Sequence, residues 1–353
     1  MKAAVWHARR DIRVHDVPDP PPPPAGQVKV EIAWCGICGT DLHEYVGGPV
    51  YIPAARPHPL TGVQAPVVLG HEAAGRVVEI GPGVTRVKPG DRVALCPIIG
   101  CRECSWCRED LMGLCPKSAY LGSSWHGGAF SRSVNVYDFT CYNLPPEVSD
   151  EAGALVEPFA ATLRAVRQAK VQAGESVAVV GAGPIGLLAV QAARIAGAGM
   201  LIAVEPLAGR RERALQCGAT AAIDPTVGDA VQALGDLTNG AGADVVIECG
   251  GVSATGLLAG RLARRRGRVV IMGVHEHPNP VDFTDIVFGE KTLLGSMGGY
   301  GVFDEAIAMV AGGDLRTDPL ITGRIALEDI VRGGFDALLQ EKERHAKILV
   351  APA

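Results

Sequence analysis

Residues 177–186 read VAVVGAGPIG, an apolar run that ends in glycines spaced G-x-G-x-x-G. The run predicts a buried β-strand, and the residues that follow, PIGLLAVQAARIAGA, predict a helix. Gly181 permits a tight turn, Gly183 lets a pyrophosphate approach the backbone, and Gly186 lets helix and strand pack closely. The amino end of the helix also favours negative charge. This stretch therefore predicts a dinucleotide-binding turn.

An acidic residue after the next predicted strand bears on the choice of dinucleotide. Glu205 lies 19 residues past Gly186, at the end of MLIAVEP, where a carboxylate accepts hydrogen bonds from the adenosine ribose. A 2′-phosphate would meet this carboxylate and no adjacent cation, although Arg210 and Arg211 follow closely. We therefore expect NAD rather than NADP. The predicted cofactor-binding residues are Gly181, Gly183, Pro184, Ile185, Gly186, Glu205 and Arg210.

The order of predicted elements around this turn indicates the fold class. Strands and helices alternate from residue 157 onward, which is typical of a parallel sheet with crossover helices. Before that point, short β-rich runs broken by glycine and proline predict a small β-barrel. We expect an α/β protein with a barrel catalytic domain, a doubly wound nucleotide domain and a return segment that completes the first domain, at residues 1–156, 157–295 and 296–353.

Composition excludes several classes of function. The 353 residues include 33 Lys and Arg against 38 Asp and Glu, so no basic excess is available to neutralise a nucleic acid. Every apolar run is broken well short of about 18 residues, so neither a signal peptide nor a membrane span is expected. A cytoplasmic protein is the default expectation.

The basic run at residues 264–266 is interpreted as a solvated helix end.

Four cysteines form the strongest metal signal in the chain. They follow the spacing C-x2-C-x2-C-x7-C, at Cys101, Cys104, Cys107 and Cys115. Four thiolates on short loops suit one tetrahedral zinc with no open position, which indicates a structural site. An iron–sulfur cluster is less favoured because the spacing differs from the common cluster runs. Coincidental free thiols are the remaining alternative.

A second constellation is distributed along the chain. Residues 35–43 read CGICGTDLH, residues 70–72 read GHE, and residues 156–158 read VEP. A thiolate, an imidazole and a carboxylate from these segments would hold a zinc whose fourth position stays open to substrate. Each of these residues alone is more often solvated or internally paired. Together they predict a catalytic metal site in the β-rich half.

Taken together, these motifs resemble the zinc-dependent medium-chain dehydrogenase/reductase family over nearly the whole chain, and within it the (R,R)-2,3-butanediol dehydrogenase branch. The resemblance implies a GroES-like β-barrel and a Rossmann domain. It also implies hydride transfer between NAD(H) and a secondary alcohol or vicinal diol, with butanediol and acetoin as the expected pair, and assembly as a homodimer or homotetramer. Sorbitol-type polyols or L-threonine are alternative substrates within the family, and a non-catalytic nucleotide-binding protein is a distant alternative.

The resemblance also implies roles for individual residues. Cys38, His71 and Glu157 match the catalytic zinc ligands, and Glu72 matches a carboxylate beside the metal that can exchange with water. Thr40 and His43 match a proton relay from the alcohol to solvent. The branch usually has serine at the position of Thr40. Thr40 keeps the hydroxyl of that serine and adds a methyl group. The implied catalytic positions are Cys38, Thr40, His43, His71, Glu72 and Glu157.

Overall fold

In the computed structural model, which describes residues 1–275 and 277–352, the chain forms two compact units. The first unit contains Met1–Glu157, Tyr300–Gly313 and Ile321–Ala353, and the second contains Pro158–Gly299 and Asp314–Leu320. None of the helices within the described ranges combines the length and apolar character needed to cross a bilayer.

The strands range from two to ten residues in length. In chain order they are β1 (Lys2–Ala8), β2 (Asp11–Asp16), β3 (Gln27–Gly36), β4 (Val67–Val68), β5 (Glu72–Ile80), β6 (Arg92–Leu95), β7 (Ile98–Ile99), β8 (Ala119–Tyr120), β9 (Ser133–Tyr137), β10 (Cys141–Asn143), β11 (Ser176–Val180), β12 (Met200–Val204), β13 (Ala221–Ile223), β14 (Ala243–Glu248), β15 (Ala263–Ile271), β16 (Thr292–Gly295), β17 (Ile321–Ala326) and β18 (Lys347–Ala351).

The α-helices are concentrated in the second unit. In chain order they are α1 (Gly39–Gly47), α2 (Ser105–Arg108), α3 (Asp150–Ala154), α4 (Val156–Gln168), α5 (Pro184–Ile195), α6 (Ala208–Gln216), α7 (Ala230–Leu237), α8 (Ser253–Leu262), α9 (Phe283–Gly289), α10 (Phe303–Ala311) and α11 (Ala337–Gln340).

The second unit is built on a parallel sheet with strand order β13-β12-β11-β14-β15-β16. In this order the chain runs outward from β11 to one edge, returns to the centre at β14 and continues to the other edge. Strands β11, β12 and β14 are buried almost throughout, which explains their continuous apolar sequences. This arrangement confirms the predicted doubly wound Rossmann domain.

The first unit centres on a mainly antiparallel sheet, in which β3 pairs with β5, β9 and β18. At one end of β3, Gly36 lies opposite Glu72 of β5 and opposite Leu349 of β18. The final strand of the chain thus returns to the centre of this sheet. The pairing places side chains from the start of β5 and the start of β18 on either side of the last residue of β3.

The basic run at residues 264–266 corrects one prediction. These residues lie in strand β15, not at a helix end, because α8 stops at Leu262 and the strand begins at the next residue. Arg264 pairs with Asp244 at 2.5 Å, so a neighbouring strand supplies the counter-charge. A helix dipole is therefore not needed to explain this basic run.

Candidate active site

Three predicted site residues lie on or beside one short helix. Cys38 caps the amino end of α1, while Thr40 and His43 lie within it, one helical turn apart. All three side chains are half-buried, so each is accessible from solvent. The helix was not predicted from the sequence, because its nine residues lack a clear apolar period.

His71 connects this helix to the sheet. Its Nε2 lies 3.2 Å from the Thr40 hydroxyl, and its Nδ1 lies 3.6 Å from the Asp41 carboxylate. Asp41 is buried and also accepts a hydrogen bond of 2.9 Å from the Cys38 backbone N–H. A carboxylate behind an imidazole orients the ring and raises its basicity, as in metal sites. Sequence reasoning missed Asp41, whose only signal is its position in the first turn after Cys38.

The charges and burial of these groups suit the site to a cation. Burial lowers the pKa of His71, but the charges of Asp41, Cys38 and Glu157 outweigh it, and the pKa lies well above its ordinary value. Burial raises the pKa of Glu157 to about 7, against the opposing effect of His71 and with the repulsion of Glu72. A thiol, an imidazole and a carboxylate in a cluster of acidic groups form a donor set that fits zinc.

Glu72 lies next to His71 in sequence but is held by a different partner. Both of its carboxylate oxygens accept hydrogen bonds from Lys347, at 2.7 and 2.6 Å, and Lys347 also donates to the Ile37 carbonyl at 3.0 Å. Glu72 is 0% exposed and Lys347 is 2% exposed. The two side chains meet over Gly36, where an added methyl group would collide with the Glu72 carboxylate. The exchange of Glu72 with water at a metal thus stays a prediction.

Burial and charge act in opposite directions on Lys347. Burial lowers the pKa of its ammonium, but the Glu72 carboxylate and the neighbouring Cys38 outweigh this effect, and the pKa lies above its ordinary value. Lys347 is therefore a cation inside the first unit. Sequence reasoning missed it, since a lone lysine at the start of an apolar strand gives no indication of its partner.

The four cysteines of the predicted structural site converge in a separate lobe. The sulfur atoms of Cys101, Cys104, Cys107 and Cys115 all lie within 4.8 Å of one another. Ligands of one tetrahedral zinc at about 2.3 Å would be about 3.8 Å apart, and the Cys101 and Cys107 sulfurs are separated by 4.0 Å. No other group of three or more such ligand atoms in residues 1–275 and 277–352 is this compact. The ligand atoms of Cys38, His71 and Glu157 are thus spread more widely.

Backbone N–H groups in this lobe favour ionised cysteine sulfur. The N–H groups of Cys101 and Lys117 each lie 3.4 Å from the Cys115 sulfur. Backbone donors lower the pKa of Cys101 to about 6, whereas burial raises the pKa of Cys107 to about 12. Gly100 leaves room for this arrangement, because a methyl group there would lie 2.5 Å from the Cys107 sulfur. Burial thus opposes ionisation of the Cys107 thiol, and a bound cation such as zinc would offset that cost.

The glycine turn of the second unit adopts the predicted local structure. Gly181 follows β11 with φ of +89°, in the region that favours glycine, and Gly183 caps the amino end of α5. A methyl group on Gly186 would collide with the Gly181 carbonyl oxygen, which explains the third glycine. Pro184 and Ile185 form the first turn of the helix and are half-buried.

Glu205 lies directly after β12 and reaches back to this turn. One carboxylate oxygen accepts a hydrogen bond of 2.7 Å from the Ala182 N–H, and the other accepts one of 3.1 Å from the Leu207 N–H. The Arg210 guanidinium lies 3.8 Å from the position a Cβ of Gly183 would take. Arg211 is engaged elsewhere, by Asp224 at 2.9 Å and by backbone carbonyls. The turn thus presents backbone donors, one carboxylate and one arginine.

Comparison with known proteins identifies the family. Residues 24–146 match the model of the alcohol dehydrogenase GroES-like domain, and residues 184–312 match that of the zinc-binding dehydrogenase family. The chain is 42% identical over 352 residues to (R,R)-butanediol dehydrogenase of Bacillus subtilis, with 100% of both chains covered. The GroES-like match confirms the predicted class of the first domain.

Solved structures give the same result. The crystal structure of 2R,3R-butanediol dehydrogenase from Bacillus subtilis has a TM-score of 0.93 and 40% identity, over 100% of this chain and 99% of that one. A zinc-binding dehydrogenase from Sinorhizobium meliloti bound to NADP has a TM-score of 0.88 and 35% identity, over 99% of both chains. This chain therefore belongs to the zinc-dependent medium-chain dehydrogenase/reductase family and is an alcohol or diol oxidoreductase that uses zinc and a nicotinamide cofactor.

Proposed function

We propose that the chain is an NAD-dependent dehydrogenase that interconverts (R,R)-2,3-butanediol and acetoin. The observation that carries the proposal is the arrangement of Cys38, Thr40 and His43 along α1, with the Thr40 hydroxyl 3.2 Å from His71. A metal-ligand pair and a proton path are thereby brought to one place. The full-length similarity to a butanediol dehydrogenase supports the choice of a diol.

Each residue of this site has a separate role in the proposed reaction. Cys38, His71 and Glu157 would hold zinc, which would supply Lewis-acid polarisation of the alcohol oxygen. Thr40 accepts the alcohol proton, because a hydroxyl can accept one proton while it donates another. His43, one turn along the same helix and half-buried, delivers the proton to solvent. A bound nicotinamide would supply the acceptor for the hydride, which carries both electrons of the carbinol C–H bond, and ketone reduction would be the reverse.

Glu205 and its neighbours support NAD over NADP. The Glu205 carboxylate is buried at the end of β12, where a 2′-phosphate would add a second negative charge. Arg211, which could offset that charge, is engaged by Asp224. The dehydrogenase from Sinorhizobium meliloti binds NADP, so a direct comparison of the two nucleotides is needed.

The test is NADH formation by purified, zinc-replete protein on a panel of alcohols. The panel contains (R,R)-, meso- and (S,S)-2,3-butanediol, sorbitol, L-threonine and ethanol, each with NAD and with NADP. We expect strong turnover of the (R,R)- and meso-diols with NAD alone. Turnover confined to another alcohol would replace the substrate and keep the zinc mechanism. The absence of turnover with every substrate would favour a non-catalytic nucleotide-binding protein.

We propose that the cysteine lobe holds a structural zinc, and this has its own test. Metal analysis is expected to give about two zinc ions per chain for the parent and about one for Cys104→Ser. The Cys104→Ser protein should also unfold at a lower temperature, because a structural zinc contributes folding free energy. Cys217→Ser, which lies outside both clusters, serves as the control. A Cys104→Ser protein that keeps both ions would contradict the assignment.

We propose that the chain assembles as a homo-oligomer through the edge of the second unit. Within the described residues, β16 pairs only with β15, and the adjacent helix α9 exposes Phe283, Val287 and Phe288 at 73%, 69% and 74%. An edge strand beside an apolar patch is a surface suited to a second copy.

Light scattering coupled to size-exclusion chromatography tests this surface. We expect the parent to be a dimer or tetramer and Phe288→Asp to shift toward a smaller species, because a buried aspartate would lack a partner. Val227→Asp is a matched control, since Val227 is equally exposed, at 76%, on another part of the same unit. An unchanged mass for Phe288→Asp would place the interface elsewhere.

The cytoplasm is the proposed compartment. All ten cysteines are unpaired in the structure, including the crowded pair Cys101 and Cys107. Thiols at such a separation persist as metal ligands where the environment is reducing.

A further inference from the structure

A buried carboxylate that the proposed mechanism does not use lies at the carboxyl end of β14. Glu248 is 0% exposed, and one of its oxygens accepts three hydrogen bonds. The donors are the backbone N–H groups of Gly250 and Gly251, both at 2.8 Å, and the Thr255 hydroxyl at 2.6 Å. Hydrogen bonds to an ionised acceptor are stronger than neutral ones. Glu248 therefore fixes the loop that follows its own strand.

This loop forms one wall of the glycine turn. The Cys249 N–H donates to the Val180 carbonyl at 2.8 Å, which joins the loop to the end of β11. A Cβ placed on Gly181 would lie 3.0 Å from the Gly250 Cα, closer than ordinary contact. The first glycine of the turn and the loop held by Glu248 are thus packed backbone to backbone.

Glu248 also forms hydrogen bonds with the residues at the end of β15. Its backbone carbonyl accepts hydrogen bonds from the Met272 and Gly273 N–H groups, at 2.9 and 3.1 Å. Its second carboxylate oxygen lies 3.2 Å from Nε2 of His275, whose Nδ1 lies 2.6 Å from the Asn279 side chain. Both ring nitrogens of His275 are therefore engaged by protein groups.

The position of this network in the sheet indicates its role. Strands β11 and β14 are neighbours, and the chain leaves them in opposite directions across the sheet. Ligands of doubly wound sheets bind outside the carboxyl ends of the strands at such a point. We infer that Glu248 is a positioning residue for the nicotinamide dinucleotide: it shapes the Cys249–Gly251 loop and the end of β15 before the cofactor arrives. This inference rests on the proposed nucleotide site.

A role in stability alone explains the placement less well. A buried charge contributes little net stability compared with a packed apolar side chain. Its advantage is geometric, because one carboxylate can hold several donors in a fixed arrangement at once. Here those donors belong to the Cys249–Gly251 loop and to the first turn of α8, and Glu248 itself is too buried to contact a ligand.

Calorimetric titration with NADH tests the inference on the zinc-loaded protein, and binding does not depend on turnover. The variants are Glu248→Ala, Glu248→Gln and the control Asp244→Asn. Asp244 lies at the opposite end of the same strand, and it also holds a network, with Ser176 at 2.7 Å and Arg264 at 2.5 Å. A purely structural contribution of β14 would affect both ends alike.

We expect Glu248→Ala to raise the Kd for NADH about tenfold or more, because three donors lose their acceptor. Glu248→Gln should recover much of the affinity, since an amide oxygen can still accept from the loop. Asp244→Asn should leave the Kd close to the parent value even if it unfolds more easily. In steady state, KM for the nucleotide should rise in Glu248→Ala while KM for the alcohol and the zinc content stay unchanged.

The outcomes separate this inference from the proposed function. A folded Glu248→Ala protein that binds NADH like the parent overturns the inference and leaves the proposed function intact. If Glu248→Ala does not fold, Thr255→Val decides, because it removes one donor while it keeps the side-chain shape. Parent-like NADH binding by that variant overturns the inference, and weaker binding supports it. A parent protein that binds neither NADH nor NADPH overturns both proposals.

Discussion

A Cys38→Ser variant is expected to lose about a thousandfold in kcat/KM, equivalent to about 4 kcal/mol of transition-state stabilisation. The reason is electrostatic. A serine hydroxyl stays neutral near pH 7, so the proposed ligand set would lose an anion, and His71 and Glu157 alone would hold a divalent cation weakly. Zinc content should fall from about two to about one ion per chain. Assays of NADH formation and metal analysis of the same sample measure both effects.

Two further variants separate metal loss from other causes. Thr40→Val, on the same helix, should keep both zinc ions and the nucleotide Kd but lower kcat, because only the proton acceptor is removed. Cys104→Ser should lose the other zinc ion and keep the catalytic one. A folded Cys38→Ser protein that binds NADH and retains full activity would show that this cysteine does not hold a catalytic metal.

Local sequence predicted the nucleotide domain well, and physical reasons explain why. The turn at 177–186 is specified within ten positions, since Gly181 has φ of +89°, Gly183 caps the amino end of α5 and Gly186 packs against the Gly181 carbonyl. The order of strands follows from alternating apolar segments and the handedness of crossover connections. The spacing of the four cysteines likewise indicated a lobe in which the sulfurs converge. In each case the information lies close together in the chain.

The groups that support the active site could not be predicted in this way. Glu72 and Lys347 are 275 positions apart and meet only because β5 and β18 both approach the end of β3. The contact of Asp41 with His71 depends on the short helix α1, which is bounded by glycines and has no strong periodicity. Sequence spacing identifies candidate ligands. The residues that orient these ligands and act on their charge are brought to them only by tertiary packing.

The ion pair of Lys347 and Glu72 yields the second large prediction. Lys347→Met is expected to reduce the free energy of unfolding by about 3–5 kcal/mol, because it leaves a fully buried carboxylate without a counter-charge. Activity should fall as well, since Glu72 adjoins His71 and raises the pKa of Glu157, and an uncompensated Glu72 would intensify that repulsion. Urea unfolding followed by circular dichroism measures the stability, and NADH formation measures the activity.

A matched pair on the surface provides the control. Lys2 and Glu328 form an ion pair of 2.9 Å with both side chains 56% exposed, so Lys2→Met should leave stability nearly unchanged. The double variant Glu72→Gln/Lys347→Met should regain much of the lost stability, because removing both charges abolishes the unpaired buried carboxylate. If Lys347→Met proves no more damaging than Lys2→Met, then the Glu72 carboxylate is neutralised by other means and the buried ion pair does not support the site. If instead the single variant is unstable and the double variant is stable but slow, the pair serves catalysis, because the fold tolerates its removal and the proposed zinc site does not.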